Sequence, residues 1–208
     1  MMSKKLLGVL SGVLVLGLSA VAWAGIPNVD NSTAATAAGQ QVSVLICPFG
    51  DGDRLDAAQG CDGTTVNATI TLTVLDINFD PVVGYPPEDL WIVANTICLC
   101  PDGAIADGPT DGAGQTTFTG ALEAGGCSSD NSTNIFINPY GVLSQPGLPI
   151  WFNSPDMDCN LVVNLSDVVV LAGIYFGSYD YCADFYCDGV VNLSDVVVFT
   201  PHFTHACP

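Results

Sequence analysis

The C-terminal quarter of the chain is written twice. Residues 156–176 align with residues 184–204 at an offset of 28, and the run VVNLSDVVV stands unchanged at 162–170 and 190–198. The leading Asp and the Cys three residues after it also repeat. Identity of this length implies duplication of one supersecondary unit. Any fold for this chain must therefore end in two equivalent units, each an Asp-rich loop running into a short apolar helix.

The spacing of oxygen-bearing residues in each unit suits a calcium loop. In the first copy, positions 1, 3, 5, 9 and 12 are Asp156, Asp158, Asn160, Asn164 and Asp167, and the carbonyl of Val162 falls at position 7. The second copy offers Asp184, Asp188, Asn192 and Asp195, with the Val190 carbonyl. Calcium takes about six to eight hard oxygen ligands, which alternating positions of a tight loop can bring together. Ser166 or Asp167 is placed to cap the following helix, whose apolar face would carry Val168, Val169, Leu171, Ala172 and Tyr175. The alternative is a pair of Asp-rich turns that cap short helices without metal. Two calcium ions are the expectation, because so small a module has little core and gains folding free energy from metal.

These residues resemble the dockerin module of bacterial secreted proteins, D-x-[DN]-x-[DN]-G-x-V-[ND]-x-x-D, twice, each loop followed by a helix. The resemblance covers about residues 155–208. It implies a compact calcium-stabilised module that docks non-covalently to a cohesin-type partner. The chain departs from the pattern at three points. Leu161 stands at the Gly of position 6, Tyr186 replaces the polar ligand at position 3 of loop two, and Pro201 shortens the last helix. A non-Gly residue at position 6 costs on the order of 1 kcal/mol.

The other end of the chain reads as a secretory signal over residues 1–24. Lys4 and Lys5 are followed by an apolar run from Leu6 to Leu18 and by Ala22-Trp23-Ala24 as a cleavage site. Removing it leaves Arg54 as the sole Lys or Arg against 21 acidic residues, a net charge of −20. Such a surface excludes nucleic acid and anionic membranes as partners, since both require clustered cations. No second apolar run is long enough to span a membrane. A secreted or cell-surface protein follows. In that oxidising setting the nine cysteines point to disulfides, with one thiol left free or shared with another chain. No cysteine pair has two-residue zinc spacing. A Cys182–Cys207 clasp is the favoured local pairing.

Between the two ends the pattern turns to β structure. Residues 25–41 are Ala/Thr/Ser-rich and read as a flexible leader, or as a strand donated to a neighbour. Val66, Ala68, Ile70, Leu72 and Val74 alternate with polar residues, the strongest strand signal in the chain. Further strands are expected over residues 42–47, 90–98, 116–122, 134–138 and 148–152, separated by Gly/Pro/Asp turns. Residues 42–153 are thus mainly β, an antiparallel sandwich, with a boundary at Asn153-Ser154-Pro155. The segment Thr73 to Gly84 resembles the V-T-V-x-D-x-x-G-x-P-V-x-G hairpin of bacterial Ig-like domains of the invasin and intimin type. Thr110 to Phe118 resembles their T-D-x-x-G-x-A-x-F turn. The resemblance implies a spacer or assembly unit without a common catalytic site. Phe79 occupies the family's turn Gly.

Other chemistry is sparse. His202 and His205 lie beside Pro201 and read as surface residues of a frayed end. Asp51, Asp53 and Asp56 are first a turn and second a third calcium site. Trp91, Trp151 and Tyr140 fit a sugar platform or ordinary packing equally well. The sequons at Asn31, Asn67 and Asn131 are candidate glycan acceptors. There is no nucleophile elbow, zinc-protease helix or phosphate loop, and Glu88 and Glu123 are the only glutamates. The expectation is a non-catalytic secreted calcium-binding protein, a subunit of an extracellular or cell-surface assembly that contacts copies of itself or other surface proteins. The alternative is a docking module that hangs on a cohesin-like scaffold and displays an Ig-like ligand-binding domain, with carbohydrate as a candidate ligand.

Overall fold

The computed structural model describes residues 25–208. The secretory signal expected over residues 1–24 lies outside the described residues. The chain is mainly β, with many short strands and two short helices. In order the strands are β1 (Thr33–Thr36), β2 (Val42–Leu45), β3 (Ala58–Gln59), β4 (Thr65–Val66), β5 (Ile70–Thr73) and β6 (Leu90–Val93). Then come β7 (Ile97–Leu99), β8 (Gln115–Phe118), β9 (Ala124–Gly126), β10 (Asn134–Ile137), β11 (Gly141–Val142) and β12 (Ile150–Asn153). The helices α1 (Leu165–Tyr175) and α2 (Leu193–Phe199) follow.

Two three-stranded antiparallel sheets, β1-β5-β8 and β11-β10-β6, give the core Ala34, Ile70, Leu72, Phe118, Leu90, Ile92, Ile135 and Ile137. Alternation does the work in each. Ile70 and Leu72 of β5 are buried while Thr71 and Thr73 stay partly exposed, and β6 repeats this with Leu90 and Ile92. With Phe118, Ile135, Ile137, Ile150 and Phe152 these side chains form one continuous cluster. Full burial of such a side chain contributes roughly 1.5–3 kcal/mol, so this cluster dominates the stability of the β region.

Several expectations need correction. Residues 25–41 are not a loose leader: β1 lies antiparallel on β5, with Ala34 opposite Leu72 in the same chain. The β region is not wholly antiparallel either. Val42 of β2 pairs with Ile150 of β12 in parallel register. A parallel pair needs cover on both faces, and this one has it. Val44 and Phe152 point into the main core, while Ser43 meets the Tyr181 hydroxyl at 2.6 Å and Asn153 donates to the Asp184 carbonyl at 2.8 Å. The expected strand over residues 90–98 is split into β6 and β7, with Thr96 at φ 61° between them.

The helical module has its own small core of Val163, Leu171, Ala183, Phe185 and Phe199, completed by Cys47 from the β region. Covalent bonds supply what this core lacks. Cys61–Cys187, Cys98–Cys159, Cys100–Cys207 and Cys127–Cys182 all cross between the β region and the module. The expected Cys182–Cys207 clasp is therefore wrong. Both cysteines reach outward to β-region partners, because the module packs broadly on that region rather than closing on itself.

Candidate calcium loops and their surroundings

The two repeats fold into loops with matching caps. Each helix is capped by an Asn, Asn164 at φ −145° and Asn192 at φ −145°, whose side chains accept from the N–H of Ser166 and Ser194. Asp167 and Asp195 return the bond to the backbone N–H of Asn164 and Asn192, at 2.8 and 2.7 Å. The cap is thus the Asn at loop position 9, not Ser166 or Asp167 alone, and the acidic residue at position 12 closes a capping box.

The same carboxylates organise the loops. In loop one the Asp156 carboxylate accepts from the N–H groups of Asn160 and Leu161, and Asp167 accepts from Met157 and Asp158. In loop two Asp184 accepts from Asp188 and Gly189, and Asp195 accepts from Tyr186. Backbone geometry matches at position 6, where Leu161 has φ 66° and Gly189 φ 82°. Glycine adopts that conformation freely, whereas a leucine there is strained.

Asp156, Asp167, Asp184 and Asp195 are each at most 1% exposed. The only arginine, Arg54, is held by Asp56 at 2.9 Å, so among the described residues no Lys or Arg side chain faces these four carboxylates. Asp156, Asp158 and Asp167 place carboxylate oxygens within 4.8 Å of one another. Burial raises the Asp156 carboxyl above the ordinary carboxylate range, with the charges of Asp167 and Asp158 adding to it. Asp158, Asn160 and Asp188 sit at the exposed rim, as do the residues of the two position-7 carbonyls, Val162 and Val190. In loop two Tyr186 leaves Asp184, Asp188 and Asp195 without a position-3 partner, and Tyr179 donates to Asp184 at 2.9 Å. Loop one sits directly on β9, where a Cβ at Gly125 would lie 1.8 Å from the Asp156 carboxylate. Glycine is needed there for close approach.

Along the helices the apolar pattern faces outward. Of the face expected on α1, Leu171 is buried, while Val168 and Tyr175 are exposed and Val169 is 72% exposed. Leu165 and Phe176 of the first repeat, and Leu193 and Val197 of the second, are likewise exposed. Of these, Leu165, Val168, Tyr175, Phe176 and Leu193 line an open apolar groove between the helices together with Leu171, Ala172, Val196, Phe199 and Phe203, while Val169 and Val197 lie outside its lining.

The other candidates separate. Asp53 accepts from Leu45 N–H at 3.2 Å, Asp56 binds Arg54, and Asp51 faces the histidines, so the three do not form a third calcium loop. Trp91 stacks on Phe136 at 4.7 Å, Trp151 meets Tyr181 edge-on at 5.0 Å, and these are two sites rather than one platform. Nor is the C-terminus frayed around the histidines: His202 is buried, and Asp51 contacts both rings. Cys47, the one cysteine outside the disulfides, is buried as well, and burial pushes its thiol up to about 12. It is not placed to lock a contact with another chain. No protein-family model matches the chain, and no curated protein sequence matches it.

Proposed function

We propose that the chain is a non-catalytic, secreted calcium-binding subunit of an extracellular assembly, joined to its neighbours through the apolar groove of α1 and α2. The observation that carries this reading is the outward apolar face of two helices whose loops are already ordered by buried carboxylates. Leu165 and Val168 recur as Leu193 and Val196, at equivalent positions of the two repeats, and all four line the groove. Exposed apolar patches of this kind mark protein contacts. A repeated patch suits the self-complementary contact that a second copy makes. Asp156, Asp158, Asn160, Val162, Asn164 and Asp167 would hold one calcium ion. Asp184, Asp188, Val190, Asn192 and Asp195 would hold the second. The ions supply the positive charge that the four buried carboxylates otherwise lack.

In this reading the β region is an Ig-like sandwich serving as a spacer, and the helical part is a dockerin-like module. The four crossing disulfides favour an assembly subunit over a detachable docking domain, because they make module and spacer one unit. The same disulfides fit export, and among the described residues no helix is long and apolar enough to cross a membrane.

Light scattering on residues 25–208, with calcium and then with chelator, tests the proposal. Calcium-dependent particles that disappear in Leu165→Asp/Leu193→Asp are the expected result. A monomer under both conditions would reject self-assembly and send the search to a scaffold partner.

A further inference from the structure

We infer that Cys47, Asp51, His202 and His205 form a closed, four-ligand site for a divalent transition metal of the zinc class, pinning the C-terminus to the β region. One ligand atom from each of the four lies within 4.8 Å of all the others. The individual separations are closer. Asp51 stands 3.3 Å from His202 Nδ1 and 3.1 Å from His205 Nδ1, and Cys47 Sγ is 3.9 Å from His205 Nδ1. Zinc bonds of about 2.3 Å to sulfur and about 2.0–2.1 Å to nitrogen or oxygen set tetrahedral ligand atoms roughly 3.3–3.6 Å apart. The side chains therefore stand near metal-binding spacing, with small rotations left to close it.

The donor set chooses the metal. A thiolate and two imidazoles favour zinc and its neighbours over calcium, which takes oxygen. The site is thus distinct in chemistry from the two loops. It also accounts for the odd cysteine: eight are spent in disulfides, and the ninth sits with both histidines of the chain.

A nucleophilic Cys-His-Asp arrangement fits less well. Such a triad puts the thiol on one ring nitrogen and the carboxylate on the other, so that the ring relays a proton. Here His205 turns the same atom, Nδ1, toward both Cys47 and Asp51. All the donors converge on one point, and Cys47 is fully buried where a substrate would need to reach it.

Two rigid turns hold the donors. Gly50 N–H donates to the Cys47 carbonyl at 2.9 Å, folding Cys47 and Asp51 onto one side. His205 N–H donates to the His202 carbonyl at 2.9 Å, and the His205 carbonyl accepts from Val163 at 2.8 Å. Phe49 covers His205 at 5.0 Å between ring centres. Protein groups fill all four positions of a tetrahedron, the mark of a structural rather than catalytic zinc site.

The test uses the disulfide-intact chain, residues 25–208, stripped with chelator and then held in excess calcium to saturate the loops. Native mass spectrometry should show one zinc ion per chain. Cobalt substitution should give tetrahedral visible bands with a sulfur-to-metal charge-transfer band that Cys47→Ser abolishes. His205→Gln, at a partly exposed position, provides a second variant should Cys47→Ser fail to form its four disulfides. Loss of that ligand should weaken zinc binding by more than the about 10–100-fold typical of losing an outer-shell partner. A folded chain that takes up no zinc overturns the inference. So does a cobalt spectrum without the sulfur band, or zinc affinity unchanged in His205→Gln.

Discussion

The β region and the helical module solve the same stability problem in different ways. The first has one continuous apolar core running through Leu55, Ile70, Leu72, Leu90, Phe118, Ile135 and Phe152. The second buries few large side chains, and leaves Val169, Phe176, Leu193 and Val197 in solvent. A core in a module of this size rarely supplies more than about 3–5 kcal/mol. Cross-links make up the difference, and in the function proposed above calcium at the buried carboxylates adds to them. A module that spends its apolar residues on a surface must be held by something else, and here four disulfides tie it to the region that can afford a core.

The sharpest way to break this comparison is reduction. Losing a native disulfide costs about 2–5 kcal/mol in small secreted domains. Reduction in chelator should therefore release residues 154–208 while β5, β6 and β10 keep their amides protected. Hydrogen exchange resolves the two regions. Simultaneous loss of protection in both would mean that the β core also depends on the staples.

Truncation of apolar side chains should separate the regions next. Leu72→Ala, in the β core, should cost about 2–5 kcal/mol. Leu165→Ala, at a side chain 70% exposed, should stay within about 0.5 kcal/mol and weaken assembly instead. Denaturant melts of both variants, beside their light scattering, decide it. A large stability loss in Leu165→Ala would show that the groove is needed for folding and is not free for a partner.

How much of this was legible follows from the range of each interaction. The loops and helices could be read because each is local, although the cap was misplaced: Asn164 and Asn192, three residues before Asp167 and Asp195, hold it rather than Ser166 or Asp167. Strand β5 announced itself through Ile70 and Leu72 alternating with threonines. The parallel pairing of Val42 with Ile150 left no local trace, since periodicity within one strand says nothing of its partner. Eight paired cysteines admit about 105 connectivities, so the crossing pattern was equally hidden. Cys47 and Asp51 meet His202 and His205 from the far end of the chain. The only clues were an odd cysteine and a histidine pair with no other assigned role. Outward helix faces were misjudged for a related reason: apolar residues at helical spacing are usually core, and here they are surface.

The smallest predicted effect compares strain in the two regions at a single residue each. Leu161 in loop one has φ 66°, and Phe79 in the hairpin after β5 has φ 65°. Both stand where related patterns carry Gly, and each is held by an aspartate: Asp156 accepts from Leu161 N–H, while Asp76 accepts from Asn78 and Asp80 on either side of Phe79. Their counterparts kept Gly. Gly189 has φ 82° in loop two, and Gly114 has φ 73° in the turn built on Asp111, where a Cβ would meet the Val74 carbonyl at 2.5 Å. Phe79 is 67% exposed, so Phe79→Gly forfeits little packing and should recover part of the roughly 1–2 kcal/mol cost of a left-handed L-residue. Glycine's greater freedom in the unfolded chain reduces the net gain to about 1 kcal/mol or less. Leu161→Gly should gain a similar amount when measured without calcium. With calcium bound its gain should appear chiefly as tighter binding, because the ion stabilises the conformation that Leu161 resists. A gain in Phe79→Gly alone would place the strain of loop one elsewhere than at Leu161, and paired melts with and without calcium distinguish these outcomes.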